Sequence, residues 1–231
     1  MVAPLAERFG EIERHGGDLS GDKSRCGELP GLSRRGVAAA GWDVQAAGNR
    51  GNFMADSKKP AMIAPVDMSK PSLARDLLIT ATQAYKLYPA NCSGAVNWVI
   101  VNMVDPKMPP LLANDLMAYF AKPANGWRQV AGVPEASELA NRGIVVVAGK
   151  AEAGAHGHVV IVLPGPWKPA GGFTSNGKIM HQYGSFPPAM STAWSSPGTT
   201  PWPGAVSNGD KTVRDPWSTP DWIKVTFWTK R

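Results

Sequence analysis

The run Gly143-Ile144-Val145-Val146-Val147-Ala148-Gly149 divides this chain in two. Upstream of it, apolar residues recur at helical spacing. From it onward, β-branched residues come in short unbroken blocks closed by glycine or proline. Ile144–Ala148 therefore reads as a buried strand. Val159–Leu163, ended by Pro164-Gly165, reads as a second, Lys178–Tyr183 as a third and Trp222–Trp228 as a fourth. On the upstream side, Ser72–Tyr85 carries apolar residues at 73, 77, 78, 81 and 85, the face of a helix. Ser93–Met103, with Val96, Val99, Ile100 and Met103 at helical spacing, reads as a buried helix, and Asn91 is its candidate cap. Pro109-Pro110 opens a helix over Leu111–Phe120, and Pro134–Asn141 reads as a short helix stopped by Gly143. The stretch from Pro187 to Pro220 is rich in Pro, Gly, Ser and Trp without a period, and reads as a long loop. Helices first and strands second predict an α+β domain.

Composition narrows the function classes. The 231 residues suit one domain, or one domain with tails. No apolar run reaches the roughly 18 residues of a membrane span. No basic patch followed by an apolar segment opens the chain, so no Sec signal is expected. Cys26 and Cys92 are too few for a disulfide framework. The net charge of +6 suits an anionic polymer, nucleic acid or cell wall. With no Lys/Arg-rich run and no recognition-helix motif, a nucleic-acid partner is not expected. Residues 1–53 carry seven acidic and seven basic side chains without periodicity, and Met54-Ala55-Asp56-Ser57 reads like a natural start. The first 53 residues thus read as a disordered or spurious extension, and 60–231 as the domain.

The chemistry centres on Tyr88-Pro89-Ala90-Asn91-Cys92-Ser93-Gly94 and on Gly157-His158-Val159-Val160. Cys92 falls at the first turn of a predicted helix, where main-chain amides favour a thiolate and lower the thiol pKa. Gly94 would leave room for a substrate to approach. Two readings stay open: nucleophile, or small buried hydrophobe. His158 opens a strand, where it can point into a cleft and act as a base. His156, two residues earlier, would share its face on a regular strand, but reads as part of the preceding loop. A His-x-His pair lacks the third and fourth ligands that zinc needs, so neither metal nor cofactor is expected. His181 would orient the His158 ring if their strands were neighbours, and a merely packed histidine is the other reading. Gln182 and Asn176 are weaker candidates for that role. The Cys92 amide with a neighbouring donor would form the oxyanion hole, so Asn91, Ser93, Gly157 and Gln182 complete the expected vicinity. Trp194, Trp202, Trp217, Trp222 and Trp228 crowd the tail, as core and loop packing or as a sugar-stacking platform.

Taken in order, Asn91-Cys92-Ser93-Gly94, Gly143–Gly149, Gly157–Val162 with Gly165-Pro166, and Tyr183-Gly184-Ser185 resemble the type VI secretion amidase effectors. These are NlpC-like cell-wall cysteine peptidases of the papain-like fold. The resemblance covers roughly 71–229. It implies N-terminal helices packed on an antiparallel sheet, Cys92 as nucleophile and His158 as general base. It implies hydrolysis of a peptidoglycan stem-peptide amide, between γ-D-glutamate and meso-diaminopimelate. It also implies delivery by a type VI apparatus without a signal peptide, action in a rival's periplasm and a cognate immunity protein. The chain departs from the pattern in lacking cysteines near its C-terminal strands, and in the Lys168–Gly177 insert that lengthens the path to His181. Another bond specificity, or a wall-binding module with an inert Cys92, is the rival reading.

Overall fold

The computed structural model describes residues 65, 67, 68, 72–193 and 200–231, all within the unit Ala61–Arg231. The readings of 1–53, of Met54 and of Trp194 fall outside the described residues. The described chain is α+β, with three α-helices before the first strand of an antiparallel sheet and two more between its strands.

Helix α1 spans Leu73–Leu87 and is capped by Ser72, whose hydroxyl accepts from the Arg75 amide at 3.2 Å. It buries the stripe Ala74, Leu77, Ala81 and Ala84. Helix α2 spans Cys92–Met103, with Ser93–Asn97 and Val99–Val101 buried. A helix apolar nearly all round needs enclosure on every side. It finds this between α1 and the sheet. Helix α3, Ala113–Phe120, starts two residues later than Pro109-Pro110 suggested. Leu111 is engaged elsewhere, accepting from Asn97 Nδ2 at 2.7 Å. Helix α4 spans Val133–Asn141 and ends at Gly143, whose φ of +77° favours glycine. A Cβ there would stand 2.3 Å from the Leu73 carbonyl carbon, so the glycine also admits the start of α1.

The main sheet has the order β1-β10-β2-β3-β8-β9, antiparallel throughout. Strands β1 (Trp127–Val130) and β9 (Ser207–Thr212) form its edges around β10 (Thr226–Lys230), β2 (Val146–Lys150), β3 (His158–Val162) and β8 (Pro188–Ser191). The first expected strand is displaced by two residues. Ile144 donates its amide to the Leu139 carbonyl and so closes α4 instead of joining the ladder. The fourth expected strand starts late, because Ser218 caps the turn α5 (Thr219–Trp222) first. Even-numbered residues of β2 and β3, Val146, Ala148, Val160 and Val162, share a core with Ala136, Leu139 and Ala140 of α4, Trp217 and Phe227. The other face carries Gly149 and Val159 beneath Met117 of α3.

Two sequence expectations are overturned. Pro187–Pro220 is not one loop, since it holds β8 and β9. Strand β8 is fully buried but reads Pro-Ala-Met-Ser, and the edge strand β9 reads Ser-Asn-Gly-Asp-Lys-Thr, so neither shows strand composition. Their pairing is also broken by an irregularity between Pro188 and Met190. The expected strand Lys178–Tyr183 shrinks to β6 (Lys178–Ile179), paired only with β5 (Thr174–Ser175). Asn176 (φ 50°) and Gly177 (φ 73°) make the tight turn between them, so the insert is a hairpin. Two further short strands, β4 (Lys168–Pro169) and β7 (Ser185–Phe186), pair at its base. Among the described residues no helix is long and apolar enough to cross a membrane.

Candidate active site

Asn91 caps α2 as the sequence suggested. Its Oδ1 accepts from the Gly94 amide at 2.8 Å and from the Ser93 hydroxyl at 3.0 Å. This leaves Cys92 on the first turn, half-buried and free of any disulfide. The main-chain amides of Val159, Ser93 and Cys92 itself meet the sulfur and favour its anion. Burial acts the other way and is the larger effect, pushing the thiol above its ordinary pKa. The expectation of a low-pKa thiol is therefore corrected: the amides are present, but desolvation outweighs them. Gly94 is also corrected. A Cβ there would lie 2.7 Å from the Tyr88 ring, so the glycine serves the crossing of α1 and α2 and opens no space for a substrate.

His158 is the first residue of β3, next to the Val159 amide that meets the sulfur. The first turn of α2 thus meets the start of β3, while the His158 ring itself packs on Ser191 and Trp217. The His158 Nε2 lies 3.0 Å from Ser191 Oγ. Ser191 is buried at the end of β8, and its hydroxyl donates to the Ala205 carbonyl at 2.6 Å. With that hydrogen committed, Ser191 can only accept from Nε2–H, which fixes the tautomer and leaves Nδ1 unprotonated. Trp217 packs edge-on to the imidazole at 5.2 Å and is itself tied by Nε1 to the Val213 carbonyl at 2.9 Å. Desolvation holds His158 down at about 4. Both shifts favour the uncharged forms, and in each case burial is the main cause.

The structure does not bring His181 to the His158 ring. His181 is exposed, outside any strand, and packs edge-on to Tyr183 at 5.2 Å. It cannot sit beside His158, because the strand next to β3 is β8. The hairpin that bears His181 is held by Arg214, whose guanidinium lies 3.9 Å over the Tyr183 ring. Gln182 is exposed alongside Gly172, and Asn176 is a turn residue. His156 is exposed in the β2–β3 loop, as its position suggested. Gly157 is buried, and a Cβ there would stand 2.3 Å from Asn114 Oδ1, so it serves close approach. Among the described residues no group of three or more His, Cys, Asp or Glu is arranged to hold a metal.

Ser191 carried no sequence signal, since a lone serine after Ala-Met has neither period nor motif. The tail tryptophans mostly pack: Trp217 against His158, Trp222 against Phe186 and Phe227, Trp228 against Phe120. Trp202 differs. It is 40% exposed, its Nε1 donates to the Asp215 carbonyl at 3.1 Å, and its ring meets Phe173 at 5.7 Å. The chain matches no protein-family model and no curated protein.

Proposed function

We propose that this protein is a cysteine amidase of papain-like (NlpC-like) type that cleaves a peptidoglycan stem peptide. The observation that carries this reading is the seating of Cys92, on the capped first turn of α2, against the Val159 amide that follows His158, whose tautomer is fixed by Ser191. His158 Nδ1 takes the proton of Cys92 as the sulfur attacks the amide carbonyl and the C–S bond forms. The first-turn amides of α2 stabilise the oxyanion. The imidazolium returns its proton to the leaving nitrogen as the C–N bond breaks. Water then attacks the thioester, His158 takes the water proton, and the C–S bond breaks to release the acid and restore the thiol. The bond we assign is γ-D-glutamyl–meso-diaminopimelate. The setting is a toxin delivered by a type VI apparatus, acting in the target periplasm and restrained in the producer by an immunity protein. That setting rests on the resemblance of the motifs.

The experiment is digestion of Gram-negative sacculi with the full chain, and identification of released muropeptides by mass. Fragments ending in γ-D-glutamate support the assignment; other fragments name another bond. A second reading, a wall-binding module with an inert thiol, is favoured by one observation, the exposed Trp202 ring held against Phe173. It expects sacculus binding without fragment release.

A further inference from the structure

Two asparagines link the helix of Cys92 to the strand of His158. Asn97 is buried on α2, five residues after Cys92. Its Nδ2 donates to the Ser93 carbonyl at 2.8 Å and to the Leu111 carbonyl at 2.7 Å, and its Oδ1 accepts from the Leu111 amide at 3.4 Å. The first turn of α2 is thereby tied to the segment that opens α3. Asn114, in the first turn of α3, continues the link. Its Nδ2 donates to the carbonyls of Glu152 at 3.0 Å and Ala155 at 2.9 Å, and its Oδ1 accepts from the Glu152 amide at 2.9 Å. All three bonds go to the β2–β3 loop that delivers His158. Gly157 passes so close to Asn114 Oδ1 that no side chain fits there.

Nothing about local structure requires either residue. Asparagine is a mediocre helix former. A solvent-exposed loop can satisfy its backbone with water. Here one amide side chain takes three loop groups that water would otherwise serve, and a second fixes the chain three residues before it. We infer that Asn97 and Asn114 are positioning residues, forming a polar brace that sets His158 against Cys92. The inference rests on the thiol amidase reading, since it assigns the brace to that pair. Loss of either member would leave both groups present but displaced, and a displacement of about 1 Å can cost on the order of a hundredfold in rate.

The test uses the full chain, with Asn114→Ala, Asn97→Ala and the double variant, each checked for folding by circular dichroism and thermal melting. On soluble muropeptides from Gram-negative sacculi, Asn114→Ala is expected to lower kcat roughly 10- to 100-fold with KM within about twofold. Because the two residues act in series, the double variant is expected to be no slower than the slower single variant. Independent structural roles would multiply instead. A folded Asn114→Ala with kcat within about twofold of wild type overturns the brace, whether or not Asn97→Ala folds. If the wild type itself releases nothing, the amidase reading fails on its own. The brace is then decided by the pH profile of Cys92 alkylation with iodoacetamide, which needs no substrate. A slower neutral-pH rate in Asn114→Ala supports the brace, and an unchanged profile overturns it.

Discussion

Ser191 holds His158 through one hydrogen bond, 3.0 Å from Oγ to Nε2, while spending its own hydrogen on the Ala205 carbonyl at 2.6 Å. The direction of both bonds is thereby set, and the imidazole turns its lone pair to Nδ1. On the proposed amidase reading, Ser191 takes the part that a carboxylate or amide takes in other nucleophile–base–orienter sites, without adding charge. Ser191→Ala is expected to lower kcat roughly tenfold, the worth of one neutral hydrogen bond to the base, with little change in KM. Nitrogen NMR of the imidazole is expected to show the Nε2–H tautomer in the wild type and a mixture in the variant. An unchanged tautomer with unchanged kcat would contradict the role.

The burial of His158 makes stability depend on pH. Its folded pKa of about 4 lies below the ordinary 6.5. Between these values the unfolded chain binds a proton that the native chain excludes, so stability falls as pH drops from 6.5 to 4 and this contribution levels off below. In His158→Gln that part of the slope is expected to vanish. Thermal melts at pH 7, 5.5 and 4.5 check it: the wild-type midpoint falls more steeply than that of the variant.

Trp217 supplies the apolar wall on which that depression rests. Trp217→Ala removes a buried ring, at a cost of about 3–5 kcal/mol by the usual range for such truncations. It also admits water to the imidazole. Titration of the His158 ring signals is expected to move upward, toward 6.5. A ring still titrating near 4 would place the cause of the shift elsewhere.

Trp202→Ala separates the two functional readings. The ring is exposed, and Trp202 reaches Ala205 through its backbone carbonyl and not through the ring, so the fold is expected to tolerate the ring's loss. If the tail binds glycan, sacculus pelleting weakens severalfold while cleavage of soluble muropeptides is unchanged. If Trp202 only packs on Phe173, pelleting is unaffected.

Much of the helical half was legible because its signals are local. Ser72 and Asn91 cap, Gly143 stops α4, and apolar spacing marks the buried faces. The places of Cys92, first in α2, and His158, first in β3, were legible for the same reason, each lying at the edge of a strongly patterned element. Beyond β3 only the last strand, β10, was legible, and the edge strand β1 was not expected at all. Strand β8 is buried yet made of Pro, Ala, Met and Ser, and its place beside β3 is decided by tertiary pairing rather than propensity. Missing β8 meant missing Ser191, which meets the His158 ring where His181 was expected. The thiol pKa was misjudged in the same way, since the helix terminus is visible in sequence but the depth of its burial is not.

The most direct measurement is digestion of Gram-negative sacculi by the full chain beside Cys92→Ala, with soluble products separated and weighed. The account expects new muropeptides from the wild type alone, with masses that end in γ-D-glutamate. Equal profiles from both proteins, with both pelleting on the sacculi, would contradict it and make the protein a wall-binding module.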